Sequence, residues 1–312
     1  MRLLITGGAG CLGANLVAAY LPRGHEILVI DNFATGRRAA LPEASGLTIV
    51  EGSIADAAIV EAAFADFRPT HVIHSAAAYR DPDAWREDAA TNIVGTINLV
   101  EAARRGGVAR FINFQTALCY GRPERLPIPV DHPTRPFTSY GISKTAGEAY
   151  LTLSGLSWAS LRIANVIGPG LAIGPIPAFY QRLKAGKSCF CTNAIRDFLD
   201  IEDFLALIDL VLRDDAAAGL FNVSTGCGHA ITEVYDAVAA ALGIETAPAS
   251  VVPPGEDDVP AVVLDPSRTC DAFGWRAKVG FAESIARMVR WYDRHGVGPL
   301  HSHLRPLPAD RL

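Results

Sequence analysis

A glycine-rich turn near the N-terminus constrains this chain more than any other feature. Arg2–Thr6 is a short apolar run that ends at Gly7-Gly8-Ala9-Gly10-Cys11-Leu12-Gly13. Residues 11–21 then carry Leu12, Leu16, Ala19 and Tyr20 at helical spacing, and Pro22 and Gly24 stop them. A strand, a Gly-x-x-Gly-x-x-Gly turn and a helix in that order make a phosphate cradle. Gly7 allows the tight turn, Gly10 lets the backbone approach a pyrophosphate, and Gly13 lets the helix pack closely. The helix N-terminus offers free N–H groups and the positive end of its dipole to an anion. A second strand, 26–30, ends at Asp31, eighteen residues beyond Gly13. A carboxylate there accepts hydrogen bonds from adenosine ribose hydroxyls and repels a 2′-phosphate, which favours NAD over NADP. Arg37 and Arg38 follow closely, so a phosphate partner is also within reach in sequence.

Further buried strands are expected at 47–50, 70–74, 110–114 and 157–163. Helices are expected between them at 56–67, 83–105 and 139–153. In the long one the apolar stripe runs through Trp85, Ala89, Ile93, Ile97 and Val100. Alternation with short connections means a parallel sheet covered on both faces. The expected fold is α/β, a doubly wound parallel Rossmann sheet with a smaller C-terminal α/β substrate domain. Residues 1–165 form the dinucleotide domain in this reading. Residues 166–312 form mainly the second, with 196–226 returning to the first. Beyond 165 the pattern predicts helices at 177–185, 232–242 and 281–295, and a strand running into a helix over 197–213. A short strand is expected at 220–223 and a loop at 253–260.

Composition removes several classes of function. Lys+Arg 28 against Asp+Glu 33 gives a net charge of -5, with no basic excess for a nucleic-acid backbone. No uncharged apolar run reaches the ~18 residues of a membrane span. The apolar N-terminus is broken by glycines and does not read as a signal peptide. The six cysteines of so large a chain without an export signal read as reduced thiols in the cytoplasm. Cys189-x-Cys191 with Cys227 fits no common zinc spacing, and no metal is expected. His71 and His74 read as structural, His301 and His303 as solvated, and Trp275 and Trp291 as packing residues of the second domain.

Two motifs carry chemistry beyond the glycine turn. In Tyr140-Gly141-Ile142-Ser143-Lys144 the tyrosine and lysine share one helix face. Free tyrosine, with a pKa of about 10, is a poor base at neutral pH. A nearby ammonium and a positive nicotinamide favour the phenolate, so Tyr140 is expected to take a proton from a substrate hydroxyl. Thr116 emerges from the carboxyl end of the fifth strand, where ligands sit in this fold, and is placed to hydrogen-bond the reacting oxygen.

These features, in this order, resemble the extended short-chain dehydrogenase/reductases over nearly the whole chain. More closely, the sequence looks like the NAD-dependent sugar-nucleotide epimerase/dehydratase family. Further matches are His74-Ser75-Ala76-Ala77-Ala78, Thr91-Asn92-Ile93-Val94-Gly95-Thr96, Asn165-Val166-x-Gly168-Pro169, Arg196-Asp197-Phe198 and Phe221-Asn222-Val223-Ser224-Thr225-Gly226. The stretch from Gln115 to Gly121 is similar to O-antigen-cluster enzymes of the WbmG type.

The resemblance implies a site. Gly7, Gly10 and Gly13 match residues at the cofactor pyrophosphate. Cys11, Leu12, Asp31, Asn32 and Gly36 match its phosphate and adenosine end, and Ser53 and Ile54 flank the adenine, Ser53 standing where relatives carry an acid. Ala76, Ala77, Tyr79 and Asn92 fall along the cofactor. Thr116, Tyr140 and Lys144 match the catalytic trio, and Tyr140 and Lys144 also touch NAD. Asn165 and Arg196, with Thr116, match substrate contacts. The implied substrate is a nucleotide sugar, a UDP-sugar above others.

Departures sort the subclasses. Relatives that dehydrate carry Asp-Glu where this chain has Ala117 and Leu118, and double epimerases carry a cysteine at the Leu118 position. Cys119, one residue off, is expected to face the core. What remains is the minimal trio of a 4-epimerase working through a transient 4-keto sugar in O-antigen precursor synthesis. A dehydratase, C5-epimerase or reductase of the same family is the alternative, and a non-catalytic NAD sensor the more distant one. Many relatives carry Arg-x-Gly-Asp in the late loop. Here that loop reads Pro253-Pro254-Gly255-Glu256-Asp257-Asp258, and Arg268 is the nearby candidate for the missing cation. The resemblance also implies a homodimer through helices 83–105 and 139–153.

Overall fold

The computed structural model describes residues 1–301. The first strands and helices alternate: Arg2–Thr6 (β1), Cys11–Tyr20 (α1), Glu26–Asp31 (β2), Leu47–Glu51 (β3), Ala57–Phe67 (α2) and His71–His74 (β4). A long helical stretch follows in three pieces. Trp85–Asp88 (α3) and Gly95–Gly106 (α4) flank a wider π turn, Ala89–Val94. Then come Arg110–Thr116 (β5), Ser139–Thr152 (α5), Trp158–Ile163 (β6) and Asn165–Ile167 (β7). The remainder holds Pro175–Lys184 (α6), Phe190–Thr192 (β8), Ile195–Asp200 (β9), Ile201–Val211 (α7), Gly219–Val223 (β10), Gly228–Ala230 (β11), Ile231–Leu242 (α8), Ser250–Val252 (β12), Ala261–Val262 (β13), Ser267–Phe273 (α9) and Phe281–His295 (α10).

The main sheet has the order β10-β6-β5-β4-β1-β2-β3, and every pairing in it is parallel. In β1 and β2 the apolar run is unbroken because each face is covered. Leu4, Leu28, Val72 and Phe111 pack against the helix residues Val60, Phe64, Leu99 and Ala103. Leu3, Ile5, Val29, Ile73 and Ile112 pack on the other side against Leu16, Val17, Phe204, Leu207 and Ile208. A smaller unit is built on β9, which pairs with β7, β11 and β13. Its core brings Phe179, Val234, Val238, Ile285, Met288 and Tyr292 together from α6, α8 and α10.

The long helix departs from its expected form. The stripe that was expected to be buried is inside only at its end: Val100 is in the core, but Trp85 is 66% exposed, Ala89 is exposed, and Ile93 and Ile97 are only half-buried. The buried face carries Asp88, Asn92 and Thr96 instead. Each is satisfied by a hydrogen bond: Ser139 Oγ donates to Asp88 at 2.5 Å, Asn92 pairs with the backbone of Ala78, and Thr96 Oγ donates to Asn92 O at 2.7 Å. Buried polar groups so paired cost little.

Two smaller expectations are also corrected, for Trp275 and His301. Trp275 packs in the core of the main sheet, not the second unit, and its indole N–H donates to Asp203 O at 2.9 Å. Trp291 does pack against the smaller core. Cys119 is buried as expected, in a short helical turn, 117–120. His301 is half-buried and pairs with Ile173, its N–H donating to Ala172 O at 3.0 Å. His303 lies outside the described residues. The six cysteines are free thiols.

Candidate active site

The carboxyl ends of β1, β2, β4, β5 and β6 open on a cavity of about 370 Å³. It lies where the strand order reverses, between β1 and β4, which is where ligands settle in open parallel sheets.

One half is built on the glycine turn. Gly7 has φ +65°, and a Cβ there would stand 2.7 Å from Ala76 Cα. A Cβ on Gly13 would stand 2.2 Å from Gly7 O. Both positions therefore demand glycine for the turn to close on itself. Gly10 caps α1 without a side-chain hydrogen bond, so the first helical N–H groups stay available to an anion. Asp31 is buried at the cavity wall and accepts from Ala9 N–H and Phe33 N–H, each at 2.8 Å. Each carboxylate oxygen keeps a second lone pair for a ribose hydroxyl. Gly7, Gly10, Cys11, Leu12, Asp31, Asn32, Gly36, Ser53, Ile54, Ala76, Ala77 and Tyr79 all line this half. An uncapped helix end, a glycine cradle and a buried acid fit a dinucleotide.

Thr116 and Tyr140 stand at the junction of the two halves. Thr116 ends β5, and its Oγ accepts from Leu118 N–H at 3.1 Å. Tyr140 lies in the first turn of α5, which Thr138 caps by accepting from Gly141 N–H. The Tyr79 ring packs against Tyr140 with centroids 6.1 Å apart. Burial pushes the Tyr140 phenol above its ordinary value, and Tyr79 adds to this. The hydrogen bond from Thr116 pulls the other way. The expected lowering is thus reversed in the protein alone, because desolvation of a phenolate outweighs the one hydrogen bond that favours it.

Three expected site residues stand behind the lining. Gly13 lies under the turn. Lys144 is buried one turn past Tyr140, and burial pushes its ammonium down to about 8 against the opposing pull of Glu148. His74 sits beside it, held well below its ordinary value by burial and by Lys144, and so is neutral. Asn92 lies in the π turn. Its amide grips the Ala78 backbone and donates to Ser143 Oγ at 3.0 Å, tying the cavity wall to α5.

Sequence reasoning missed the side chains that hold this arrangement. Gln115 accepts from Thr116 N–H at 2.8 Å and donates to Lys144 O at 2.9 Å, locking β5 to α5. Glu148 pairs with Arg162 at 2.6 Å and accepts from Ser160 Oγ at 2.7 Å, both buried. Such partners are far apart in sequence and leave no local signal.

The other half carries Ala117, Leu118, Asn165, Arg196 and Asp258. Asn165 donates its amide to Asp197 O at 3.0 Å. Arg196 forms an ion pair with Asp258. Arg268 is not here. It lies over the Phe221 ring, 5.5 Å from its centroid, beside Asp271 in a surface depression. Stacking on the sheet's edge strand holds it away from the cavity. Among the described residues no group of three or more His, Cys, Asp or Glu side chains is arranged to hold a metal.

Comparison with known proteins agrees with this geometry. The NAD dependent epimerase/dehydratase family matches residues 3–224. The chain belongs to that family. Among relatives of this epimerase/dehydratase chain, a UDP-glucose 4-epimerase of Mycolicibacterium smegmatis is 33% identical, across 94% of this chain and 98% of the relative. The enzyme WbmG of Bordetella bronchiseptica, solved in complex with NAD, is 62% identical with a TM-score of 0.93, covering 98% of both chains. The same enzyme with NAD and UDP aligns with a TM-score of 0.92 and covers 97% of both.

Proposed function

We propose that this chain is an NAD-dependent sugar-nucleotide 4-epimerase acting through a transient 4-keto sugar, in polysaccharide or O-antigen precursor synthesis. The observation that carries the reading is the Thr116–Tyr140 pair with Ala117 and Leu118 following it on the cavity wall. Elimination needs an acid and a base next to the sugar ring, and the positions that hold them in dehydrating relatives are apolar here. The 4-epimerase relative and the NAD-bound structures of high identity support the same reading.

The glycine turn, Asp31, Asn32, Gly36, Ser53, Ile54, Ala76, Ala77 and Tyr79 hold the cofactor in this proposal, with Asn92 setting the wall behind it. Bound NAD supplies the hydride acceptor for C4 and, once the keto sugar has turned, the donor to its other face. Tyr140 takes the proton of the 4-hydroxyl as the carbonyl forms and returns it on reduction. Thr116 hydrogen-bonds the same oxygen. Lys144 places a positive charge one turn behind the phenol and favours the phenolate. Asn165 and Arg196 hold the nucleotide sugar, with UDP supported by the UDP-bound neighbour. In this proposal residues 1–165, with 196–226 returning to them, serve the cofactor, and 166–312 mainly serve the sugar. No described helix is long and apolar enough to cross a membrane, and a cytoplasmic location suits the substrate class.

The test is a panel of UDP-sugars and UDP-uronates incubated with enzyme and NAD in deuterated water. A new isomer without deuterium is expected. Deuterium beside a carbonyl would mean enolisation, and would replace this reading with C3 or C5 epimerisation or dehydration.

A homodimer is part of the proposal. The α3–α4 stretch, α5 and the residue that ends it carry exposed Trp85, Val94, Ile142, Tyr150 and Leu153, the last 78% exposed. Light scattering should give about twice 33.2 kDa. A mass near 33 kDa at every concentration would remove the dimer.

A further inference from the structure

The segment 168–174 crosses the glycine turn. Gly170 stands over Cys11, where a Cβ would lie 4.0 Å from Cys11 Cα. Leu171, Ile173 and Gly174 line the same cavity as Gly7 and Gly10. Gly170 and Gly174 have φ of +83° and +85°, so the segment bends sharply at two points. It has the position of a cover on the cofactor cradle, and it contains no helix or strand of its own. The groups that fasten it come from two distant parts of the chain.

On the near side α1 holds the cover. Asn15 donates to Pro169 O at 2.8 Å, and the Cys11 thiol donates to the same carbonyl at 3.5 Å. On the far side the holding groups come from α10 and the residues after it. The Tyr292 hydroxyl donates to Leu171 O at 2.7 Å, and His301 N–H donates to Ala172 O at 3.0 Å. His301 also pairs with Ile173 in parallel register. Between these anchors the chain turns at Gly296 and packs Val297 against the smaller core. It then passes Arg37, where a Cβ on Gly298 would lie 3.4 Å from Nη1. Arg37 follows the cavity residue Gly36, and its N–H donates to Ala9 O at 3.0 Å in the glycine turn. Residues 296–301 therefore run from the cradle side of the cavity to the cover.

We propose that residues 296–301 are a strap that holds the 168–174 cover closed over bound NAD, with Tyr292 and His301 as its positioning residues. The inference rests on the epimerase reading for its purpose, since a hydride that leaves and returns in one turnover needs a cofactor that stays. The strap acts through a side-chain hydroxyl at one anchor and a backbone N–H at the other. Losing either leaves a carbonyl of the cover unpaired and lets the cover lift.

The experiment uses NAD-loaded, full-length protein: wild type, Tyr292→Phe, His301→Pro and His301→Ala. NAD release is followed after rapid dilution with no sugar present. Phenylalanine keeps the ring beside Tyr180, 4.9 Å between centroids, and loses only the donor. Proline removes the N–H at 301, and alanine keeps it. Release should be on the order of fivefold faster for Tyr292→Phe and for His301→Pro, the effect of one lost hydrogen bond. His301→Ala should match wild type. In the wild type, NAD should slow amide exchange at 171–174 and at 297–301 together, a response that a merely structural fastening would not give. Unchanged release in either Tyr292→Phe or His301→Pro overturns the strap. So does release from His301→Ala as fast as from His301→Pro, which would give the role to the imidazole. Exchange at 297–301 that ignores NAD overturns it without recourse to any variant. Strap-dependent NAD release with no isomer formed from any UDP-sugar would remove the epimerase reading and leave the hold on NAD standing.

Discussion

Replacing Tyr140 with phenylalanine should lower kcat by about 10³, within the range typical of a lost general acid–base group. The substitution removes one oxygen and little else. The ring keeps its place in the first turn of α5 and its edge contact with Tyr79, 6.1 Å between centroids. Thr116 keeps the Leu118 N–H on its Oγ. Lys144 lies behind the wall and does not line the cavity. Tyr79 is the nearest phenol, but burial pushes it above its ordinary value as well, and its hydroxyl is engaged with Thr35. The measurement is single-turnover conversion with the best substrate of the panel, alongside the NAD content of the purified variant. Loss of turnover with NAD retained places the proton transfer on Tyr140. A variant within tenfold of wild type would move the base elsewhere and revive the non-catalytic reading of the fold.

The strands were the most legible part of the chain, and the reason is physical. A central parallel strand is buried on both faces, so it reads as an unbroken apolar run with sharp ends. β1 and β2 show this, and the glycine turn marks where the first of them stops. The long helix was legible in extent but not in orientation. Periodicity finds an apolar stripe, and a stripe is ordinarily inside. Here Asp88, Asn92 and Thr96 take the inner face because each finds a polar partner on α5, on the segment after β4, or within the helix itself. Those partners lie up to 51 residues away, and no local pattern announces them. The same holds for the candidate site. Thr116, Tyr140 and Asp31 stood out because their chemistry is local to a motif. Gln115, Glu148 and Asp258 did not, because what they do depends on Lys144, Arg162 and Arg196, met only through the fold. The missing late-loop arginine was visible in the sequence. That an acid of the same loop would hold Arg196 was not.

Lys144→Met should make the protein more stable at neutral pH while removing most of its activity. The buried ammonium titrates at about 8, against an ordinary value of 10.5, because burial disfavours its charge. Below about pH 8 both the folded and the unfolded chain hold the proton, and the cost of burying it is fully present. Between about 8 and 10.5 the unfolded chain holds more protons than the folded one, so wild-type stability rises with pH across that window. Methionine fills similar space without a charge, so the variant should gain on the order of 3 kcal/mol at pH 7. Its advantage should shrink as the pH climbs towards 10.5. Glu148 stays satisfied in the variant, since Arg162 and Ser160 hold both of its oxygens. Denaturant unfolding of both proteins from pH 7 to 10.5 checks the slope as well as the sign. A methionine variant less stable than wild type at pH 7 would mean that Lys144 is a structural group whose charge is well compensated. The expected result instead marks it as a charge kept at a cost in stability, because the phenolate of Tyr140 needs a positive neighbour that water cannot supply inside the fold.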